Sequence, residues 1–403
     1  MPAWLFPLAN WVGQDYYSPQ SVAFLLYLVV MIVALGPFGI RPRYVGDIDV
    51  DDPTRARPDR REIVVLLTSL LIVAIALATG HQLTPGFAAV TVLALTIARR
   101  TSLRIFGVLM VTMTLAWVCW GAYAFWSGHI GKVFGELGQL GNNVAEGGTS
   151  RLAGTPAHVF VTRERLFEAA FILGLAAIGF LISRRVRADR LAAAVLTVAP
   201  ATILAVQSYG GEGGMRVFLM SLPGALCLIA LLVTALPRPV SFRGAIVAFQ
   251  PRRMHGVAAL VLSVALVPMF LISRWGNEQF EQTRPDELAG VQALYAMAPP
   301  GSTLMSLDLH IPWMFDHVDT YKYKTRTFAE LPSTDVSAIE TEFGTASGGY
   351  LIITTGQVDF AVQTFGLAPD WATNLETALI ASGRFHVVYE NPNARIYQYS
   401  TAG

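Results

Sequence analysis

The chain has 403 residues, of which 53% are hydrophobic and 14% charged, with a mean hydropathy of +0.49. Soluble domains carry roughly 25% charged residues, so a protein this apolar has too little polar surface to cover itself in water. The formal net charge of +1 carries no information by itself, because the charges are segregated along the chain.

Apolar runs long enough to be read as helices crossing a bilayer, which takes about 20 residues, fall near 20–40, 62–80, 84–99, 103–126, 166–184, 191–207, 216–236 and 255–274. The third and sixth are short, and a re-entrant hairpin around Thr84-Pro85 is the alternative for the third. Alternate loops are rich in arginine: Arg41, Arg43, Arg55, Arg57, Arg60 and Arg61 in the first, then Arg99, Arg100 and Arg104, then Arg184, Arg185, Arg187 and Arg190, then Arg238, Arg243, Arg252 and Arg253. The opposite loops 80–83 and 208–215 have no Lys or Arg. The positive-inside rule then places the arginine-rich loops in the cytoplasm, and the N-terminus and residues after 275 outside. Topology also accounts for the arginines, so nothing supports binding to nucleic acid. Cys119 and Cys227 lie inside apolar runs and read as small packing residues.

Residues 276–403 have ordinary globular composition. Helices are expected over Pro285–Met297 and Trp371–Ala381, and strands over Thr303–Leu307, Tyr350–Thr354, Phe385–Tyr389 and Arg395–Tyr399. The expected architecture is therefore an α-helical polytopic membrane domain of about eight transmembrane helices, residues 1–275, followed by a small extracytoplasmic α/β domain, 276–403. The expected location is the plasma membrane.

The polar segments that are poor in arginine all fall on the expected outer side. Gln14, Asp15, Tyr16 and Tyr17 precede the first span, where Ser18 and Pro19 read as a helix cap. The four residues before that cap also suit a sugar, through hydrogen bonds and aromatic stacking. His81 and Gln82 occupy a short turn; His81 is either a structural histidine or a ligand to phosphate or metal. Gln207, Tyr209 and Glu212 lie in a glycine-rich turn ahead of Arg216. The glycines make either a tight turn or a set of exposed N–H groups for a lipid-linked phosphate. Arg216 starts a span on the side where Lys and Arg are sparse; it either snorkels or binds that phosphate.

The run Ala9–Gln20, with His81–Pro85, Gln207–Glu212 and Pro299-Pro300-Gly301-Ser302, resembles large actinobacterial membrane proteins that look like GT-C glycosyltransferases. The resemblance covers nearly the whole chain. It implies sugar transfer from a polyprenyl-phosphate donor at the outer membrane face, in cell-envelope glycan or glycoconjugate synthesis. An acceptor hydroxyl would attack the anomeric carbon, with a carboxylate as base. A divalent metal, Mg or Mn, or cationic side chains would hold the leaving phosphate.

On that reading Asp15 is the candidate for catalytic or metal contact. Gln14, Tyr16, Tyr17, His81, Gln82, Gln207, Tyr209, Glu212 and Arg216 are the candidate substrate contacts. Membrane lipid and the lipid-linked sugar are the expected partners. The chain departs from the family where the catalytic acid is expected, in a first outer loop after the first span. Asp47, Asp49, Asp51 and Asp52 follow that span on the cytoplasmic side. The N-terminal catalytic portion is therefore expected to be absent, supplied by a second membrane subunit, or lost through the choice of start codon. The alternative function is a non-catalytic scaffold or partner subunit of an envelope-assembly complex.

Overall fold

The computed structural model describes residues 1–13, 18–40, 58–123, 127, 152–183, 187–205, 212–235, 251–325, 336–344 and 348–400. The chain divides into two compact units. The first comprises Met1–Ser150 and Glu164–Arg274, the second Arg151–Arg163 and Trp275–Gly403.

The first unit is a helical bundle. Its elements are α1 (Pro2–Ala9), α2 (Pro19–Leu35), α3 (Arg60–Gly80), α4 (Thr84–Ile97), α5 (Arg104–Ala116, extended by a π-helical turn over Trp117–Gly121), α6 (Pro156–Ile182, whose first turns belong to the second unit), α7 (Arg187–Val198, continued as a 3-10 helix over Ala199–Ala205), α8 (Gly213–Ala235) and α9 (Pro251–Trp275). Among the described residues five helices are long and apolar enough to cross a membrane, namely α3, α5 with its π turn, α6, α8 and α9; α2, α4 and Arg190–Ala205 are apolar but shorter. The protein thus has the character of a multi-pass membrane protein. The first run stops earlier than its hydrophobicity suggests, because Gly36 ends α2 after Leu35. The short helix α1 was not expected.

Local chemistry sets the helix starts. Ser18 accepts from the Ser21 N–H and the Ser21 hydroxyl accepts from the Ser18 N–H, both at 3.1 Å, with Pro19 in the first turn. Asp59 and Glu62 make the same reciprocal pair at the start of α3, at 2.7 and 2.9 Å.

The hub of the bundle is α8. Of its most apolar stretch 61% is buried, against 11% for α9 and 22% for α3. Outward-facing Val64, Val65 and Ile72 on α3, and Leu260, Val261 and Val264 on α9, are exposed in the chain alone and suited to lipid. Two glycines let the neighbours approach α8 closely. A Cβ on Gly179 of α6 would lie 2.2 Å from the Leu228 carbonyl oxygen, and one on Gly224 of α8 would lie 2.6 Å from that of Ala193 on α7. Small residues at such crossings are how membrane helices gain packing energy where hydrophobic exclusion is weak. The fully buried Tyr27 of α2 donates its hydroxyl to the Met220 carbonyl at 3.4 Å.

In the second unit the elements are α10 (Glu278–Glu281), α11 (Pro285–Met297), β1 (Thr303–Ser306), β2 (Lys322–Thr325), α12 (Val336–Phe343), β3 (Gly349–Thr354), α13 (Thr355–Phe365), α14 (Trp371–Ala381), β4 (Phe385–Asn391) and β5 (Ala394–Tyr399). The sheet order is β2-β1-β3-β5-β4. Strands β2, β1 and β3 are parallel, and β5 pairs antiparallel with both β3 and β4. Every residue of β3 is buried. Its side chains alternate between two cores. Tyr350 and Ile352 join Val291 and Leu294 of α11, while Leu351 and Ile353 join Ile339, Phe343, Leu375 and Leu379 from α12 and α14. A sheet covered by helices on both faces follows from that alternation.

Candidate functional site

Of the sequence-derived site residues, Gln14, Asp15, Tyr16, Tyr17, Gln207 and Tyr209 lie outside the described residues. His81, Gln82, Glu212 and Arg216 are described, and the bundle brings three of them together. His81 ends α3, Glu212 and Arg216 flank the start of α8, and the intervening chain folds so that Arg216 Nη1 lies 3.1 Å from His81 Nε2. Arg216 Nη2 donates to Glu212 Oε2 at 2.7 Å. Gln82 follows His81 in the same turn.

The histidine has a structural role as well. Its Nδ1 accepts from the backbone N–H groups of Leu83 and Thr84 at 3.3 and 3.2 Å, and lies 2.9 Å from the Thr84 hydroxyl. His81 thereby caps α4, whose own N-cap residue, Leu83, has no polar side chain to offer. Burial, and then the Arg216 charge, lower its pKa from 6.5 to about 4, so the ring is neutral at pH 7. With Nδ1 committed as an acceptor, the ring hydrogen sits on Nε2. Two donors, Nε2–H and the guanidinium, then face one another. Such a pair is better satisfied by an anionic oxygen placed to receive both than by each other.

A second polar group, which sequence reasoning missed, lies in the same unit. Arg165 of α6 donates from Nε to the Ser273 carbonyl of α9 at 2.7 Å, and its guanidinium lies 5.6 Å from the centre of the Trp11 ring. Trp11 in turn stacks on Phe218 of α8 at 5.7 Å. The Arg274 guanidinium lies against Gly13, where a Cβ would sit 3.8 Å from Cζ. Glu168 of α6 and Ser273 are fully buried beside one another. Arg274 carried the same signal as Arg216, an isolated arginine at the end of an apolar run, whereas Arg165 stands in the charged run Arg163-Glu164-Arg165. Trp11, two residues beyond α1, carries a buried indole.

His81, Glu212 and Arg216 do not by themselves fit a divalent metal; Asp15, the candidate for metal contact, lies outside the described residues. The Glu212 carboxylate is engaged by Arg216, and a guanidinium already occupies the approach to His81 Nε2. Among the described residues no three His, Cys, Asp or Glu side chains come together as a ligand set.

Taken together, the helices and the small sheet define a multi-pass membrane protein with a compact α/β unit, bearing an arginine–histidine group at the ends of its helices. No family model matches the chain, and no curated protein matches it.

Proposed function

We propose that the chain is a GT-C-like membrane glycosyltransferase, or the C-terminal portion of one, that handles a polyprenyl-phosphate-linked sugar at the outer face of the plasma membrane. On this reading α2, α4 and α7 with its 3-10 extension also cross the bilayer. That makes eight spans, with the arginine-rich loops cytoplasmic and the α/β unit outside. The arginine distribution supports this orientation.

The observation that carries the proposal is the approach of Arg216 to the neutral His81. A cation and an N–H meet at the ends of two apolar helices, where an anionic headgroup with a long apolar tail can sit with its tail in lipid. Arg216 would bind the phosphate and His81 Nε2–H would share one of its oxygens. Gln14, Tyr16, Tyr17, Gln82, Gln207, Tyr209 and Glu212 remain the candidates for the rest of the ligand, and Asp15 for the acid. Native mass spectrometry of the detergent-solubilised protein with undecaprenyl phosphate tests this: Arg216→Ala should lose the adduct, and an equal adduct in wild type and variant would sink the assignment.

One observation favours the non-catalytic reading. Glu212 is ion-paired to Arg216 and so is poorly placed to act as a base. A partner subunit would then supply the catalytic carboxylate. Sugar transfer by the isolated chain would remove that reading, whereas co-purification with a second membrane protein would support it.

A further inference from the structure

The α/β unit contains an ordered histidine that the proposal above does not use. Strand β1 ends at Ser306, and Asp308 and His310 follow directly. The Asp308 carboxylate accepts from the His310 N–H at 2.8 Å and from His310 Nδ1 in a short contact. The imidazole stacks on Phe360 of α13 with ring centres 3.8 Å apart and meets Phe280 edge-on at 5.5 Å. Three contacts fix the ring, and Nδ1 is spent on Asp308. Nε2 is left with its lone pair and has no hydrogen-bond partner among the described residues.

This ring lines an open cleft of about 200 Å³ together with Phe280, Glu281, Gln282, Thr283 and Glu287. The cleft sits where ligands collect in parallel sheets. The chain leaves β1 toward β2 on one side, and leaves β3 toward β4 and β5 on the other, so the carboxyl ends of β1 and β3 diverge. Its floor is built and fully paired. Buried Glu287 accepts from the Gly356 N–H at 2.6 Å and from the Arg284 N–H at 2.9 Å, and pairs with the Arg284 guanidinium at 3.3 Å. The chain that continues beyond the lining residue Pro312 is held in an unusual backbone state. Met314 and His317, neither of them glycine, have φ of 60° and 55°. The Tyr295 hydroxyl accepts from the Met314 N–H at 3.0 Å, and the Tyr323 hydroxyl donates to the His317 carbonyl at 3.2 Å.

The lining also selects the ligand. Glu281 and the Arg284-paired Glu287 line the cleft, and among the described residues no lysine or arginine lines it, which disfavours an anion. The volume is below the 300–1,000 Å³ typical of drug-sized sites. We infer that this cleft binds a small neutral polyhydroxylated ligand, a single sugar ring or polyol, with one hydroxyl donating to His310 Nε2. Gln282 and Thr283 offer further hydrogen bonds and Phe280 an apolar wall. The site lies wholly within the second unit and stands whether or not Arg216 binds phosphate.

Saturation-transfer NMR on the full chain in detergent micelles tests the inference, with myo-inositol, a methyl hexopyranoside and a methyl pentopyranoside as probes. At least one probe should receive saturation from the wild type. His310→Phe keeps a ring on Phe360 and removes the acceptor nitrogen; it should weaken that probe's binding about tenfold or more, as should Asp308→Ala, which frees the ring to turn. Near-ultraviolet circular dichroism establishes that each variant is folded. Transfer to none of the three probes by the wild type overturns the inference, and so does equal transfer by a folded His310→Phe protein.

Discussion

His81 Nε2 and Arg216 Nη1 lie 3.1 Å apart although 135 residues separate them in the chain. The contact joins the end of α3 to the start of α8, while the other edge of the same ring caps α4. One side chain therefore serves two purposes, and its protonation is coupled to both.

That coupling predicts a pH dependence. The folded-state pKa of His81, about 4, lies below its ordinary value of 6.5. The folded protein therefore binds fewer protons than the unfolded chain between those values. The contribution of the neutral ring is complete above about pH 6.5 and is lost as pH falls toward 4. His81→Gln should flatten the fall in thermal unfolding temperature across this window. The difference should be on the order of 1–2 kcal/mol, below the full linkage value because the ring is only partly buried. Parallel pH profiles of the two proteins would contradict the assigned cause.

Close packing onto α8 predicts a contrast within one helix. Gly179→Ala forces a methyl against the Leu228 carbonyl, whereas a Cβ at Gly174, also on α6, meets nothing within 4 Å. Overpacking costs about 1–3 kcal/mol. Thermal unfolding in detergent should fall for Gly179→Ala and hold or rise slightly for Gly174→Ala, which also gains helix propensity.

Glu287 should be among the most sensitive positions in the α/β unit. Removing it strands the Gly356 N–H and Arg284 N–H in a buried site, a loss of about 3 kcal/mol or more. In Glu287→Ala, hydrogen exchange should accelerate at Gly356 and across the start of α13, and least in the β3–β5 pairing. Unchanged protection at Gly356 would show that its amide does not depend on the carboxylate.

Orientation is open to a chemical test. In a background with Cys119 and Cys227 replaced by Ala, a cysteine at Gln82 should react with a membrane-impermeant maleimide in intact cells. One at Asp59 should react only after the membrane is opened. The reverse pattern would invert the proposed topology.

Much of this architecture was legible because its causes are local. Ser18-Pro19 announces the start of α2 through a side-chain oxygen and a fixed φ. β3 is readable as an unbroken apolar run, Tyr350–Ile353. β2 was not: Lys322-Tyr323-Lys324-Thr325 has no apolar run, because an edge strand has fewer neighbours to satisfy. The meeting of His81 with Arg216 was hinted at by their shared side of the membrane but rests on how α3 packs beside α8, which no short segment encodes. The Asp308–His310 pair went unremarked because its significance comes from Phe360 and Phe280, which arrive from other parts of the chain. Arg165 was hidden in the charged run Arg163-Glu164-Arg165, and Arg274 stood alone after its apolar run, until Trp11 and Gly13 gave them neighbours.

The place of β5 in the sheet has a consequence for synthesis. Fifth of the strands in chain order, it fills an interior position between β3 and β4. Until it emerges from the ribosome, β3 has one naked edge and two apolar faces, the kind of surface that recruits neighbouring polypeptides. The unit cannot mature strand by strand; it must be sheltered and then close in a single late event.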